Sequence, residues 1–158
     1  MNIAHATLSA GTPMSWSADW AWSLPLIVAT LILHVVGLGL FDEKVISWLG
    51  SAIARRHSRT AFVTLMSATV LMATVLHGLE AAVWAAAYRF LDALPDARTA
   101  MLYSLSSMTS YGHANLFLSQ PWQLMGALEA LNGMILFGLT TAFLFRIVQR
   151  EWPLGTRG

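Results

Sequence analysis

Four ionisable side chains sit inside runs of sequence that are otherwise apolar. His34 is the only such group in the run 24–41, His77 and Glu80 interrupt the run 61–87, and Glu129, with Asn132, interrupts the run 124–145. A spacing of three places His77 and Glu80 on one face of a helix. A charge in hydrocarbon costs about 2.5–3.5 kcal/mol on insertion scales, so groups at such positions pair with one another, hold a ligand or carry protons. The preferred reading is structural: His77, Glu80 and Glu129 pair with each other or brace a neighbouring loop, and His34 is packed and hydrogen-bonded. Two histidines on different runs also raise a bis-histidine haem, whose depths match only if the second helix continues to about Arg89. His77, Glu80 and Glu129 together raise a metal site. Neither is adopted, so no metal and no cofactor beyond a bound monovalent cation is assigned.

Other chemistries are excluded by what the chain lacks. It has no cysteine, hence no disulfide, thiolate ligand or cysteine nucleophile. It has no G-x-S-x-G, no HExxH and no phosphate-binding glycine loop, and its eight acids offer no convincing dyad. An enzyme is not expected. A formal net charge of +1 gives no basis for nucleic acid as a partner.

The elements that carry these groups are membrane spans. Of 158 residues, 56% are hydrophobic and only 11% charged, against roughly 25% charged in ordinary soluble domains. The mean hydropathy is +0.60. The run 24–41 is 18 residues, about 27 Å as a helix, close to the roughly 30 Å hydrocarbon core. Trp16, Trp20 and Trp22 ahead of it, and Trp84, Tyr88 and Arg89 at the end of the second run, read as interfacial belts. Residues 1–23 hold no Lys or Arg, so a secretory signal lacks its charged start. Three spans follow: the first within residues 1–60, the other two within a module 61–148, before a short tail 149–158.

Basic residues set the orientation. Lys44, Arg55, Arg56, Arg59, Arg146, Arg150 and Arg157 lie on one side of this arrangement, and only Arg89 and Arg98 on the other. That places 42–60 and the C-terminus in the cytoplasm and the N-terminus outside, in a plasma or inner membrane. Val45, Ile46, Trp48, Leu49, Ile53 and Ala54 allow either a short helix lying in the interface or a solvated turn.

Between the second and third spans, residues 99–111 are too short to cross. They are moderately apolar and end rich in hydroxyls: Ser104, Ser106, Ser107, Thr109, Ser110 and Tyr111. A short helix over 97–109 followed by the turn-like 112–115 suits a re-entrant loop. Such backbone is tolerated at membrane depth only inside protein or beside water. A helix and loop on the outer surface is the equal alternative.

This order of span, short helix, hydroxyl-rich turn with Tyr111-Gly112, and span resembles the pore module of the potassium-channel superfamily, including its small bacterial members with an extra preceding span. The likeness covers roughly residues 70–147. It implies an all-α membrane protein of three spans plus a re-entrant pore helix. It implies a filter at Met108, Thr109, Ser110, Tyr111, Gly112 and His113, and four copies in cyclic symmetry. It also implies an inner helix hinged at Gly133 or Gly138, though close packing would equally explain those glycines. Phe137, Thr140 and Thr141 would then line the inner pore. The family filter reads Thr-Val-Gly-Tyr-Gly-Asp. Aligned without a gap, Ser110 stands where the first glycine belongs and His113 where the Asp does. Alternatively, Met108-Thr109-Ser110 matches the residues entering the filter and two filter residues are deleted. Either way the first glycine is absent. Serine enters the left-handed region reluctantly, so discrimination between potassium and sodium should be poor. The expected function is passive passage of monovalent cations through a homotetramer embedded in the lipid bilayer. The rival is a non-conducting scaffold or sensor using His77, Glu80, Glu129 and His113.

Overall fold

A computed structural model of the chain describes residues 13–43, 59–112 and 115–151. Among these residues there is no strand. Four α-helices follow in order: α1 Pro13–Phe41, α2 Arg59–Phe90, α3 Ala97–Met108 and α4 Gln123–Glu151, the last entered through a 3₁₀ turn at Gln120–Trp122. The interfacial segment expected over 45–54 lies outside the described residues.

Three of the helices are long and apolar enough to cross a membrane, over Trp16–Phe41, Arg59–Phe90 and Gln120–Arg150. Their mean hydropathies are 2.4, 1.8 and 1.7. The first helix starts earlier than the apolar run alone suggests. Its first residue is Pro13, whose fixed φ and missing N–H suit a first turn. Trp16, Trp20 and Trp22 are therefore exposed residues of α1 itself rather than a belt ahead of it. Pro25 stands inside α1, and the helix runs on without the bond its N–H would give to the Ala21 carbonyl.

The bundle buries polar side chains among its apolar core and turns many large apolar side chains outward. Thr30, His34, Thr69, Glu80, Ser104, Glu129, Asn132 and Thr140 are buried, whereas Val28, Ile32 and Val36 of α1, Val70, Leu71 and Val75 of α2, and Leu131, Met134 and Ile135 of α4 are exposed. A soluble bundle has the opposite distribution. Apolar faces turned outward suit lipid, and polar side chains bonded across helices suit its interior.

Local signals set the ends of the short helix. Asp96 is its N-cap: Oδ1 accepts from the Thr99 amide at 2.9 Å and Oδ2 from the Thr99 hydroxyl at 2.7 Å. Both α2 and α3 close with the same two-bond cap. Ala93 N–H reaches the Tyr88 carbonyl and Asp92 N–H the Arg89 carbonyl after α2. Tyr111 N–H reaches the Ser106 carbonyl and Ser110 N–H the Ser107 carbonyl after α3. The residue that turns the chain is left-handed in each case, Asp92 at φ 50° and Ser110 at φ 55°, positions where glycine is usual.

Packing places α3 between α2 and α4. Trp84, Tyr88, Ala100, Leu118 and Met125 form a cluster near its start, and Ala81, Met108 and Leu136 form one around its end. Leu65 and Ile147, with Phe41 and Phe143, join the far ends of the long helices.

Candidate functional site

The polar residues singled out from the sequence divide into two separate centres, and each draws in a partner that spacing does not reveal. The first braces α3. The Glu129 carboxylate group on α4 accepts from the Tyr88 hydroxyl on α2 at 2.7 Å and meets the Ser104 hydroxyl on α3. Ser104 also donates to the Ala81 carbonyl at 2.8 Å. One hydroxyl proton cannot serve both acceptors. A protonated Glu129 that donates to Ser104, while Ser104 donates to Ala81, satisfies all of them. A third tie follows one turn on, where Ser107 donates to the Gly126 carbonyl at 2.7 Å. Glu129 therefore ties the short helix to α2 and α4, and its partners are Tyr88 and Ser104 rather than His77 or Glu80. The reason is register: Glu80 and Tyr88 are eight residues apart along α2, about 12 Å.

The second centre is a closed ring of side chains from the three long helices. His34 Nδ1 and Glu80 Oε1 are 2.7 Å apart, and His77 Nδ1 and Glu80 Oε2 3.0 Å. On the far side of both imidazoles, Thr140 Oγ1 lies 3.1 Å from His77 Nε2 and 3.1 Å from His34 Nε2. His34, Glu80 and Thr140 are buried, and the His77 side chain is 12% exposed. Ligand-type atoms of His34, His77 and Glu80 lie within 4.8 Å of one another. Two of these contacts, at 2.7 and 3.0 Å, are hydrogen-bond lengths, and three such ligands fall one short of a closed structural zinc site. A haem does not fit either: the imidazole centroids are only 5.2 Å apart, with Glu80 and Thr140 bridging both edges.

The glycines of α4 have distinct surroundings. A Cβ on Gly133 would lie 2.2 Å from the Met108 carbonyl oxygen and 2.7 Å from its Cα, so the end of α3 is seated directly on α4 there. Gly126 makes room for the Tyr103 hydroxyl, and Gly138 faces open space. Helix α4 is unbroken from Gln123 to Glu151. Gly133 is thus a contact surface for α3 in this conformation, and neither glycine interrupts the helix.

Of the residues assigned to a filter, Met108 is buried while Thr109, Ser110, Tyr111 and Gly112 are exposed. His113 lies outside the described residues. Ser110 at φ 55° and Gly112 at φ 71° both take the left-handed conformation, with Tyr111 between them. They border an open pocket of about 310 Å³, also lined by Tyr103, Ser106, Ser107, Phe117, Gly126 and Ala130. Among the residues assigned to the inner pore, Thr141 is exposed and donates to the Phe137 carbonyl at 2.8 Å. Thr140 points into the ring instead, and Phe137 stacks on His77 at 4.2 Å between centroids.

Sequence reasoning missed Tyr88, Ser104 and Thr140 as bonding partners, and also the bond from Asn132 Nδ2 on α4 to Thr30 Oγ1 on α1, 2.8 Å long. A signal was present. Glu129, Asn132, Leu136 and Thr140 recur at helical spacing along one face of α4, and all four are buried.

Compared with known proteins, no family model matches the chain, no curated protein matches it and no solved structure matches it.

Proposed function

We infer that the chain is one subunit of a pore-loop membrane channel, whose copies surround an axis and let monovalent cations pass down their gradient. The observation that carries this reading is how far α3 reaches along its neighbours. Its last residue, Met108, sits on Gly133, ten residues and about 15 Å from the start of α4. Ser104 bonds to Ala81, nine residues and about 13 Å before the end of α2. A short helix that reaches this far along two spans and then turns supports the re-entrant reading.

Electrostatics supports cations. A helix carries roughly half a negative charge at its C-terminus, and here that end stops at mid-depth, where little solvent screens it. The turn that follows is held by the cap on Ser106 and Ser107 and faces away from the subunit's own core. Tyr111 is 83% exposed and Phe117 72% exposed. Further copies around an axis would cover such aromatics. One loop cannot enclose a path, and the likeness to potassium channels makes four copies the natural number. Ser110 takes a left-handed φ of 55°, a conformation glycine enters readily, so a serine is no bar to a turn here. Its added side chain, with Met108 and Thr109 in place of Thr and Val, leaves selectivity for potassium over sodium weak. The excess of basic residues assigns 42–60 and the C-terminus to the cytoplasm, and the mouth of the loop to the outside.

The test is assembly geometry. The chain has no cysteine, so Tyr111→Cys gives each copy a single thiol on an exposed residue. Native mass spectrometry in detergent should give a tetramer, and a short bismaleimide should link neighbouring copies through residue 111. A monomer, or an assembly in which residue 111 never cross-links, would rule the channel arrangement out.

A further inference from the structure

The ring of His34, Glu80, His77 and Thr140 admits a count of protons. Each of its four hydrogen bonds needs one. An ionised Glu80 contributes none, two neutral imidazoles contribute one each, and the Thr140 hydroxyl contributes one. Three protons leave one of the four contacts without a donor: both Nδ1–H groups point at Glu80, and both bare Nε2 atoms then compete for the single Thr140 proton. One buried lone pair stays unpaired and the ring keeps a net negative charge amid three spans, both of which are unfavourable. A fourth proton removes both defects. With it, one imidazole is doubly protonated beside an ionised Glu80. Equivalently, Glu80 donates to one Nδ1, that ring's Nε2–H donates to Thr140, Thr140 donates to the other Nε2, and the second Nδ1–H returns to Glu80. These forms share the same protons and differ only in where each sits along its bond.

We propose that this ring is a proton-binding site, holding one proton beyond those of an ionised glutamate and two neutral histidines, and that this proton closes the contact among α1, α2 and α4. No other described side chain takes part. The groups facing the ring are Thr140 and Phe137 from α4, His34 from α1, and His77 and Glu80 from α2. The nearest acid along the helices is Asp42, eight residues and about 12 Å beyond His34 and paired with Arg146. Glu129 lies eleven residues and about 16 Å along α4, and Asp19 fifteen residues and about 22 Å along α1. The titratable groups of α3 are Arg98 and Tyr103, and Tyr103 turns its hydroxyl to Gly126. The partly exposed His77 is the way in for the proton. Its stacking on Phe137 connects the ring to the surface of α4, so a proton leaving would be felt there. The inference stands whether or not the assembly conducts.

A carboxamide distinguishes this site from ordinary packing. In Glu80→Gln, the side-chain NH₂ donates to one Nδ1 and the oxygen accepts from the other, so the ring closes with no extra proton. Thermal unfolding in detergent or nanodiscs, measured from pH 5 to pH 9, should show wild type losing roughly 3–10 °C on the alkaline side as the fourth proton leaves. Glu80→Gln should be as stable as wild type at pH 6 and lack that loss. Imidazole ¹⁵N shifts of histidine-labelled wild type should report the extra proton at pH 6. The proposal is overturned if both histidines are singly protonated beside an ionised Glu80 at pH 6, or if Glu80→Gln keeps the wild-type alkaline loss. Glu80→Gln being as unstable as Glu80→Ala at pH 6, or wild type binding one Zn²⁺ per chain at the ring in place of the proton, would overturn it equally.

Discussion

Replacing Gly133 by alanine adds one methyl group where there is no room for it. The new Cβ would stand 2.2 Å from the Met108 carbonyl oxygen, 2.7 Å from its Cα and 2.8 Å from its carbonyl carbon. All three are backbone atoms, so no side chain can swing aside. An ordinary contact of about 3.2 Å requires the end of α3 to retreat by about 1 Å. That retreat pulls on the Ser107 bond to Gly126 and on the Ser104 bonds to Ala81 and Glu129. Overpacking of this kind costs about 1–3 kcal/mol. Alanine recovers about 1 kcal/mol of helix propensity over glycine, which leaves a net loss of up to about 2 kcal/mol, or up to roughly 8 °C in melting temperature. Gly138 is the internal control. Nothing lies within 4 Å of a Cβ there, so Gly138→Ala carries the propensity gain alone and should be neutral or stabilising. Circular dichroism melts of the two variants in the same detergent read the difference. If Gly133→Ala melts at or above Gly138→Ala, α3 is not seated on α4 as described, and a hinge becomes the better explanation of Gly133.

Ser110→Gly relieves a left-handed serine without touching the cap bonds, and should stabilise by about 0.5–1 kcal/mol in the same melts. Ser104→Ala leaves the Glu129 carboxyl group short of a partner in the bundle interior, and should cost ~1–3 kcal/mol and loosen α3, seen as faster amide exchange over 97–108. Glu129→Gln, which can donate to Ser104 and accept from Tyr88, should melt within a few degrees of wild type, whereas Glu129→Ala should not. Hydrogen bonds from Thr99 hold the Asp96 carboxyl group below its ordinary range. Its contribution is present above the unfolded value of about 3.9 and is lost as pH falls through the lower folded value. Asp96→Asn should therefore flatten the acid limb of the stability profile while changing little at neutral pH.

Which features could be read from the sequence follows from which are local. The long apolar helices were legible because hydropathy integrates over many residues, and α3 because a moderately apolar run too short to cross, ending in hydroxyls, stands between two spans. The shared face of His77 and Glu80 was legible too, since His77 Nδ1 meets the Glu80 carboxylate. Pairing across helices was not legible. Whether Glu129 turns to Tyr88 or to Glu80 depends on the axial register of α2 against α4, and apolar faces fix that register only when packed. Thr140 was read as a wetting position because a threonine beside Thr141 on an inner helix looks solvent-facing. One residue of rotation, about 100°, separates the exposed Thr141 from the buried Thr140. The left-handed turn at Ser110 was read as an obstacle, yet the cap on Ser106 and Ser107 stabilises it there.

Passage of cations is tested most directly by flux. Purified protein in liposomes loaded with potassium, diluted into a potassium-free medium containing sodium, should dissipate the gradient within seconds to minutes once a proton carrier balances the charge. Reversal of the sodium and potassium solutions should give comparable rates on the proposed reading, in which a serine-bearing loop discriminates poorly. Empty liposomes set the baseline. Tetrameric protein, correctly inserted, whose potassium and sodium fluxes stay at that baseline would contradict the reading as a channel.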